Sequence, residues 1–213
     1  PPVQDHKRAY EDDKGPNTGG MGSYSHENHL LPFLQKEHVD AALQITKKVA
    51  DSIKEETGEY YKGVMYGGFI LTKDGVKLIE YNARFGDPEA MNTLPLFKTD
   101  FTSICQSMIV QELGRLKVEF EKKATVCKYA VPKGYPENPV KNEKVELGTV
   151  PENVKVYYAS VDKKDDGLYM TGSRAIAFVG IANSIEEAEK IAEAAVSNVQ
   201  GKVFHRKDIG TKE

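Results

Sequence analysis

An apolar run from Phe69 breaks at Asp74-Gly75 and resumes from Val76 to Asn82. Two strand-like runs joined by Asp-Gly predict a β-hairpin, because such a turn needs positive φ and these residues tolerate it. Side chains alternate between the faces of a strand, which puts Val76, Leu78, Glu80 and Asn82 on one face and Lys77, Ile79 and Tyr81 on the other. Residues 60–71 read as the first strand, with Gly67-Gly68 marking a bulge or a close approach. Val39, Leu43, Thr46, Val49 or Ala50, and Ile53 recur at helical spacing, predicting an amphipathic helix over 35–56 that stops before Gly58. Asp100 is placed to cap a second helix whose stripe is Phe101, Ile104, Cys105, Met108 and Ile109, with Gly114 as its terminator. Beyond about residue 117 the texture turns to strands at 124–131, 154–161 and 174–181, with a proline- and glycine-rich loop at 132–139 and a solvated turn at 162–167. Ser184-Ile185-Glu186-Glu187 reads as a capping box for a last helix with the stripe Ala188, Ile191, Ala192, Ala195, Val196 and Val199. The pattern is that of an α+β chain in two domains, 1–115 and 116–213.

Composition narrows the classes. With 213 residues, 39% hydrophobic and 29% charged, the chain is long enough for a real core and ordinary for a globular protein. A net charge of -3 argues against a nucleic-acid partner or an anionic membrane surface, so phosphate binding must rest on a few placed cations and backbone amides. Cys105 and Cys127 sit in apolar contexts without metal-ligand spacing, which suits buried free thiols in a reducing cytoplasm.

Two stretches carry candidate chemistry. Glu80 and Asn82 offer a carboxylate and a carboxamide two residues apart at a strand end, both hard oxygen donors of the kind that hold Mg²⁺ against nucleotide phosphates. Arg84, Asp87 and Glu89 follow at once. From spacing alone this fits equally a solvated strand end with a surface ion pair of small value. The second stretch, Lys14 to Gly22, is rich enough in glycine for backbone N–H groups to converge on an anion, though taken alone it reads better as a flexible turn.

The spelling decides between them. Glu80-Tyr-Asn-Ala-Arg-Phe-Gly-Asp-Pro-Glu-Ala-Met91 closely resembles the signature of the phosphoribosylamine–glycine ligase family, within the ATP-grasp superfamily of carboxylate–amine ligases. Gln4-Asp-His-Lys-Arg8 running through Gly19-Gly-Met-Gly22 resembles a second block of that family, and Phe204-His-Arg-Lys-Asp-Ile-Gly210 its ending. The resemblance implies the C-terminal subdomain of an ATP-grasp domain, an antiparallel sheet with helices, followed by a small α/β domain. It implies ATP-dependent joining of glycine to 5-phosphoribosylamine through a glycyl phosphate, giving glycinamide ribonucleotide, ADP and phosphate.

On that resemblance Glu80 and Asn82 hold Mg²⁺ or Mn²⁺, Arg84 stabilises carboxylate or phosphoryl oxygens, and Asp87 and Glu89 recognise an ammonium or accept a proton. Asp5, Lys7, Arg8, Asn17, Thr18, Gly19, Gly20 and Met21 form the wall that receives phosphoribosylamine. Many ATP-grasp enzymes place a further metal-binding acid on the preceding strand, and 64–72 contains none. The family's Rossmann-like first domain and the first part of its ATP-grasp module have no counterpart here. The chain is therefore expected to be the C-terminal half of the enzyme, either active with or inert without a complementary N-terminal half. Arg206 and Asp208 are expected to be structural.

Overall fold

The computed structural model describes residues 1–211. In chain order the elements are β1 (Gln4–Asp5), β2 (Arg8–Tyr10), β3 (Lys14–Asn17), β4 (Gly22–Ser25), α1 (Lys36–Thr57), β5 (Tyr66–Thr72), β6 (Gly75–Asn82), α2 (Glu89–Thr93), α3 (Phe101–Ile109), β7 (Ala124–Pro132), β8 (Glu143–Glu146), β9 (Val154–Tyr158), β10 (Val161–Lys164), β11 (Gly167–Met170), β12 (Ile176–Ala182), α4 (Ile185–Val196), β13 (Gln200–Gly201) and β14 (Val203–Phe204). The class is α+β with antiparallel sheets, as the family resemblance implies.

Two compact units emerge. One gathers Pro1–Leu31, Asp87–Pro95 and the described part of Lys122–Glu213; the other is Pro32–Gly86 with Leu96–Glu121. This differs from a single cut near residue 115, and strand pairing is the reason. β4 lies antiparallel to β7, with Gly22 opposite Lys128 and Ser25 opposite Thr125, so the opening strands join the sheet of the C-terminal part.

In the first unit the main sheet runs β1-β4-β7-β12-β9, with β14 also on β7. All nine residues of β7 are buried, and a continuous run without alternation is what a strand covered on both faces requires. α4 packs on β7 and β12 through Ala188, Ala192, Ala195 and Val196. Its small residues matter: a Cβ on Gly180 of β12 would stand 2.0 Å from the Ala188 carbonyl, so strand and helix meet backbone to backbone. Ile176, Phe178, Met170 and Val145 fill the core beside them, each such side chain contributing roughly 1.5–3 kcal/mol by burial. Asn92 of α2 fixes the front of the sheet, its amide donating to Thr125 Oγ1 at 2.9 Å and its oxygen accepting from Ser23.

The expected long strand at 154–161 breaks at Ala159-Ser160 into β9 and β10, and 162–164 is strand, not turn. β10, β11, β8 and β13 make a second small sheet that periodicity missed, since its strands are two to four residues long and largely polar. Ser184 caps α4 by accepting from Glu187 N–H at 3.2 Å, but Glu187 turns to the Asn183 amide, so only half of the capping box forms.

In the second unit α1 begins at Lys36 with Gln35 and His38 capping reciprocally and ends at Gly58, whose φ of 77° closes it. No residue of α1 is fully buried, and Leu43 is exposed. α1 lies on the β5–β6 hairpin, where Thr46 and Tyr81 hydroxyls meet at 2.7 Å. The turn itself uses positive φ only at Gly75. α3 is capped by Asp100 as expected, at 2.7 Å from Ser103 N–H, yet stops at Ile109 well before Gly114, and Phe101 and Ile109 are exposed instead of buried.

One correction bears on the site. The ladder shifts between Gly68 and Phe69, so that Phe69 faces Leu78 while Gly68 faces Glu80, leaving Ile79 as an extra residue. Facing residues share a side, hence the bulge splits the predicted single face. Val76, Leu78 and Tyr81 lie on the side of α1, and Glu80 with Asn82 on the other.

Candidate active site

The candidate residues divide between the units. Glu80, Asn82 and Arg84 belong to the second, and the remainder to the first. On β6, Asn82 Nδ2 donates to Glu80 Oε1 at 3.2 Å, and Arg84 Nη2 donates to Asn82 Oδ1 at 3.3 Å while its Nη1 reaches the Phe85 carbonyl at 2.8 Å. Guanidinium, carboxamide and carboxylate thus form one exposed chain of hydrogen bonds. The bulge at Ile79 turns this chain away from the helix-covered side and toward solvent.

In the first unit, β2 and β3 form a short ribbon with Arg8 opposite Asn17. Lys7, Arg8 and Asn17 are exposed, and Arg8 Nη1 donates to the Gly15 carbonyl at 2.9 Å. The glycine loop beyond does not cradle an anion. The amides of Thr18, Gly19, Gly20 and Met21 donate to the Lys7 carbonyl, the Tyr135 hydroxyl, Thr18 Oγ1 and the His6 carbonyl. These four N–H groups are all taken within the chain. Met21 is wholly buried, and its carbonyl accepts from Tyr129 N–H, so it is a packing residue and not part of a ligand wall.

The glycines have a different purpose. A Cβ on Gly19 would stand 2.9 Å from the Arg174 guanidinium carbon, and one on Gly20, at φ 116°, would stand 2.6 Å from Pro88 and 2.8 Å from Asp5 Oδ1. They admit close neighbours. Asp5 itself does not face a cleft: both carboxylate oxygens are shut off from solvent, with the Lys7 ammonium 2.7 Å from Oδ2. Glu89, at the start of α2, is buried as well. Asp87 is half exposed and doubly held, by the Tyr129 hydroxyl at 2.9 Å on Oδ1 and by Arg174 at 3.1 Å on each oxygen.

Family comparison places these residues in context. The model for the ATP-grasp (A) domain of phosphoribosylglycinamide synthetase matches residues 1–90, and that for the C domain of the same enzyme matches 125–212. The chain belongs to the phosphoribosylglycinamide synthetase family. It is 56% identical over 211 residues to phosphoribosylamine–glycine ligase of Methanosarcina acetivorans and 54% identical over 218 residues to that of Methanocaldococcus jannaschii. The first alignment covers 99% of this chain and the second 100%, but each covers 48% of the relative, so the chain spans about half the length of these relatives. The crystal structure of the Thermotoga maritima ligase superposes with a TM-score of 0.80 at 28% identity, over 97% of this chain and 50% of that one. A biotin carboxylase domain, at 18% identity and a TM-score of 0.58, shares the fold.

The family implies ATP and a divalent cation, and the donor set on β6 suits one. Glu80 and Asn82 supply hard oxygens on one side of a strand. Among the described residues no group of three or more His, Cys, Asp and Glu could hold a metal by itself. Arg174, Tyr129 and Tyr135 escaped sequence reasoning: each is a lone residue on a strand or in a loop, and only the fold brings it to the loop and the Asp87 turn.

Burial raises the Asp5 carboxyl from 3.8 to about 6, helped by the negative charge of nearby Glu89 and opposed by Lys7. A carboxyl whose folded value lies above its unfolded one favours the fold when protonated. That contribution is complete below the unfolded value and is lost as pH rises through about 6. Asp5→Asn is thus expected to raise the melting temperature at neutral pH and to flatten its dependence between about pH 4 and 6. Thermal melts of both chains across that range test it; parallel curves reject it.

Proposed function

We propose that this chain is the C-terminal part of a ligase that joins glycine to 5-phosphoribosylamine at the expense of ATP, giving glycinamide ribonucleotide, ADP and phosphate. The observation that carries this reading is the solvent-facing Arg84–Asn82–Glu80 chain on β6 of a family member. A carboxylate is a poor electrophile because oxide is a poor leaving group. Transfer of a phosphoryl group to glycine's carboxylate supplies a good one, and the amine then displaces phosphate. The first step brings several anionic oxygens together, so positioning and positive charge dominate.

A bound Mg²⁺ or Mn²⁺ would neutralise the ATP phosphates, held by Glu80 and Asn82. Arg84 faces carboxylate and transferring oxygens as the placed cation. Lys7 and Arg8, exposed on the opening ribbon, suit the 5-phosphate of phosphoribosylamine, with Asn17 and Thr18 beside them. Asp87 keeps lone pairs for an ammonium, and buried Glu89 supports that turn. ATP and two free thiols suit a cytoplasmic enzyme.

The partner is a polypeptide carrying the other half of the relatives' length. The β5–β6 hairpin pairs only with itself among the described residues, and Leu43, Ile70 and Ile79 stand half exposed or more around it. Two strands alone make a marginal sheet, and apolar surface of this kind suits a covering chain. Glycine-dependent ADP formation decides the matter. Turnover is expected when the complementary half is supplied and absent with this chain alone. Turnover by this chain alone refutes the need for a partner, and none from the joined full-length enzyme refutes the ligase.

A further inference from the structure

Resting on that reading, we infer that Arg174, just ahead of β12, is the positioning residue that locks the glycine loop and the Asp87 turn to each other. Its Nη1 sits among four oxygens, the carbonyls of Gly19, Gly20 and Asp87 and the Asp87 Oδ1, at 3.0, 3.2, 3.2 and 3.1 Å. Its Nη2 takes the second Asp87 oxygen at 3.1 Å, completing a forked, charge-assisted pair that a point charge such as lysine cannot reproduce. The guanidinium carbon lies 4.8 Å over the Tyr129 ring, and Tyr129 donates its hydroxyl to the same Asp87 carboxylate. The Arg174 side chain is 15% exposed, while the Asp87 carboxylate it holds is half exposed.

The loop is built for this contact. Gly19 has no Cβ where the guanidinium lies, and the loop amides are turned inward while two successive carbonyls turn to Arg174. Arg174 thereby touches both the opening glycine loop and the Asp87 turn. It acts on substrate through Asp87, whose carboxylate it orients.

The test uses the full-length enzyme with Arg174→Gln, Arg174→Lys, Asp87→Asn and the Arg174→Gln/Asp87→Asn double variant. Glycine-dependent turnover by the unaltered enzyme establishes the ligase reading separately, before any variant is compared. Arg174→Gln is expected to lose tenfold or more in kcat/KM for glycine with the KM for ATP within twofold, and lysine is expected not to rescue it. Because Arg174 works through Asp87, the double variant is expected to be no worse than the poorer single one by more than about twofold. An ATP KM that moves as much as glycine's, full rescue by lysine, multiplicative losses in the double variant, or a loss matched by an unfolded fraction in thermal melts would each overturn the inference.

Discussion

Lys128→Met is expected to lower the stability of this chain by about 3–5 kcal/mol, the cost typical of leaving buried charges without their partner. Lys128 is fully buried on β7. Its ammonium lies 2.6 Å from Glu189, 2.7 Å from Glu193 and 2.8 Å from the Lys207 carbonyl. Glu193 also accepts from Ser197 at 2.8 Å and lies 3.0 Å from His205. One cation therefore ties β7, α4 and the C-terminal segment together, and methionine of similar length removes the charge while keeping the volume.

The two carboxylates then lose the cation they share, and Glu193 keeps only Ser197 and His205. Tm is expected to fall on the order of 10 °C. Adding Glu189→Gln and Glu193→Gln is expected to restore much of it, because neutral amides do not repel. A Lys128→Met chain that melts within 2 °C of the parent rejects the network's role. Acid titration gives an independent reading of the same group. Burial alone would raise the Glu193 carboxyl, but hydrogen bonds from His205, Lys128 and Ser197 outweigh it and hold it at about 2, below the usual 4.5. Its contribution is present above the unfolded value and is lost as pH falls from about 4.5 toward 2.

Glu80→Ala in the full-length enzyme is expected to reduce kcat at least a hundredfold, the scale seen when a preorganised charge-stabilising group is removed. The loss should come with a raised Mg²⁺ requirement, since one of only two protein oxygens on that side of β6 is gone. Asn82→Asp, which keeps an oxygen donor, is expected to retain more activity than Asn82→Ala. Steady-state rates measured against Mg²⁺ at saturating ATP separate these outcomes. A Glu80→Ala enzyme within threefold of the parent, with the same Mg²⁺ dependence, would remove Glu80 from the metal site.

What the sequence discloses of this fold follows from range. α1, α3, α4 and the β5–β6 hairpin announce themselves because their periodicity and caps lie within one element. Even there, period-2 reasoning put Leu78 and Glu80 on one face, since Gly67-Gly68 marks a bulge on β5 without saying which residue of β6 is the extra one. The short strands β8, β10, β11 and β13 carry too few apolar positions to alternate visibly. The glycines at 19 and 20 were legible as special and misread in purpose: their neighbours, Arg174 and Pro88, are 155 and 68 residues away from them, respectively. Nothing local marks Lys128 as buried, because its partners Glu189 and Glu193 lie on α4, 61 and 65 residues further on. Resemblance to a family located the chemistry; contact over long range says what holds it.

The pairing of β4 with β7 also has a temporal side. About a hundred residues separate Ser25 from Thr125, so the first strands leave a ribosome some 5–20 s before their hydrogen-bonding neighbour exists, at synthesis rates of roughly 5–20 residues per second. During that interval the inserted segment from Pro32 to Gly86 can already form its helix and hairpin, whose contacts are local. The unit that contains β4 and β7 is thus completed last, after the inserted segment has been made.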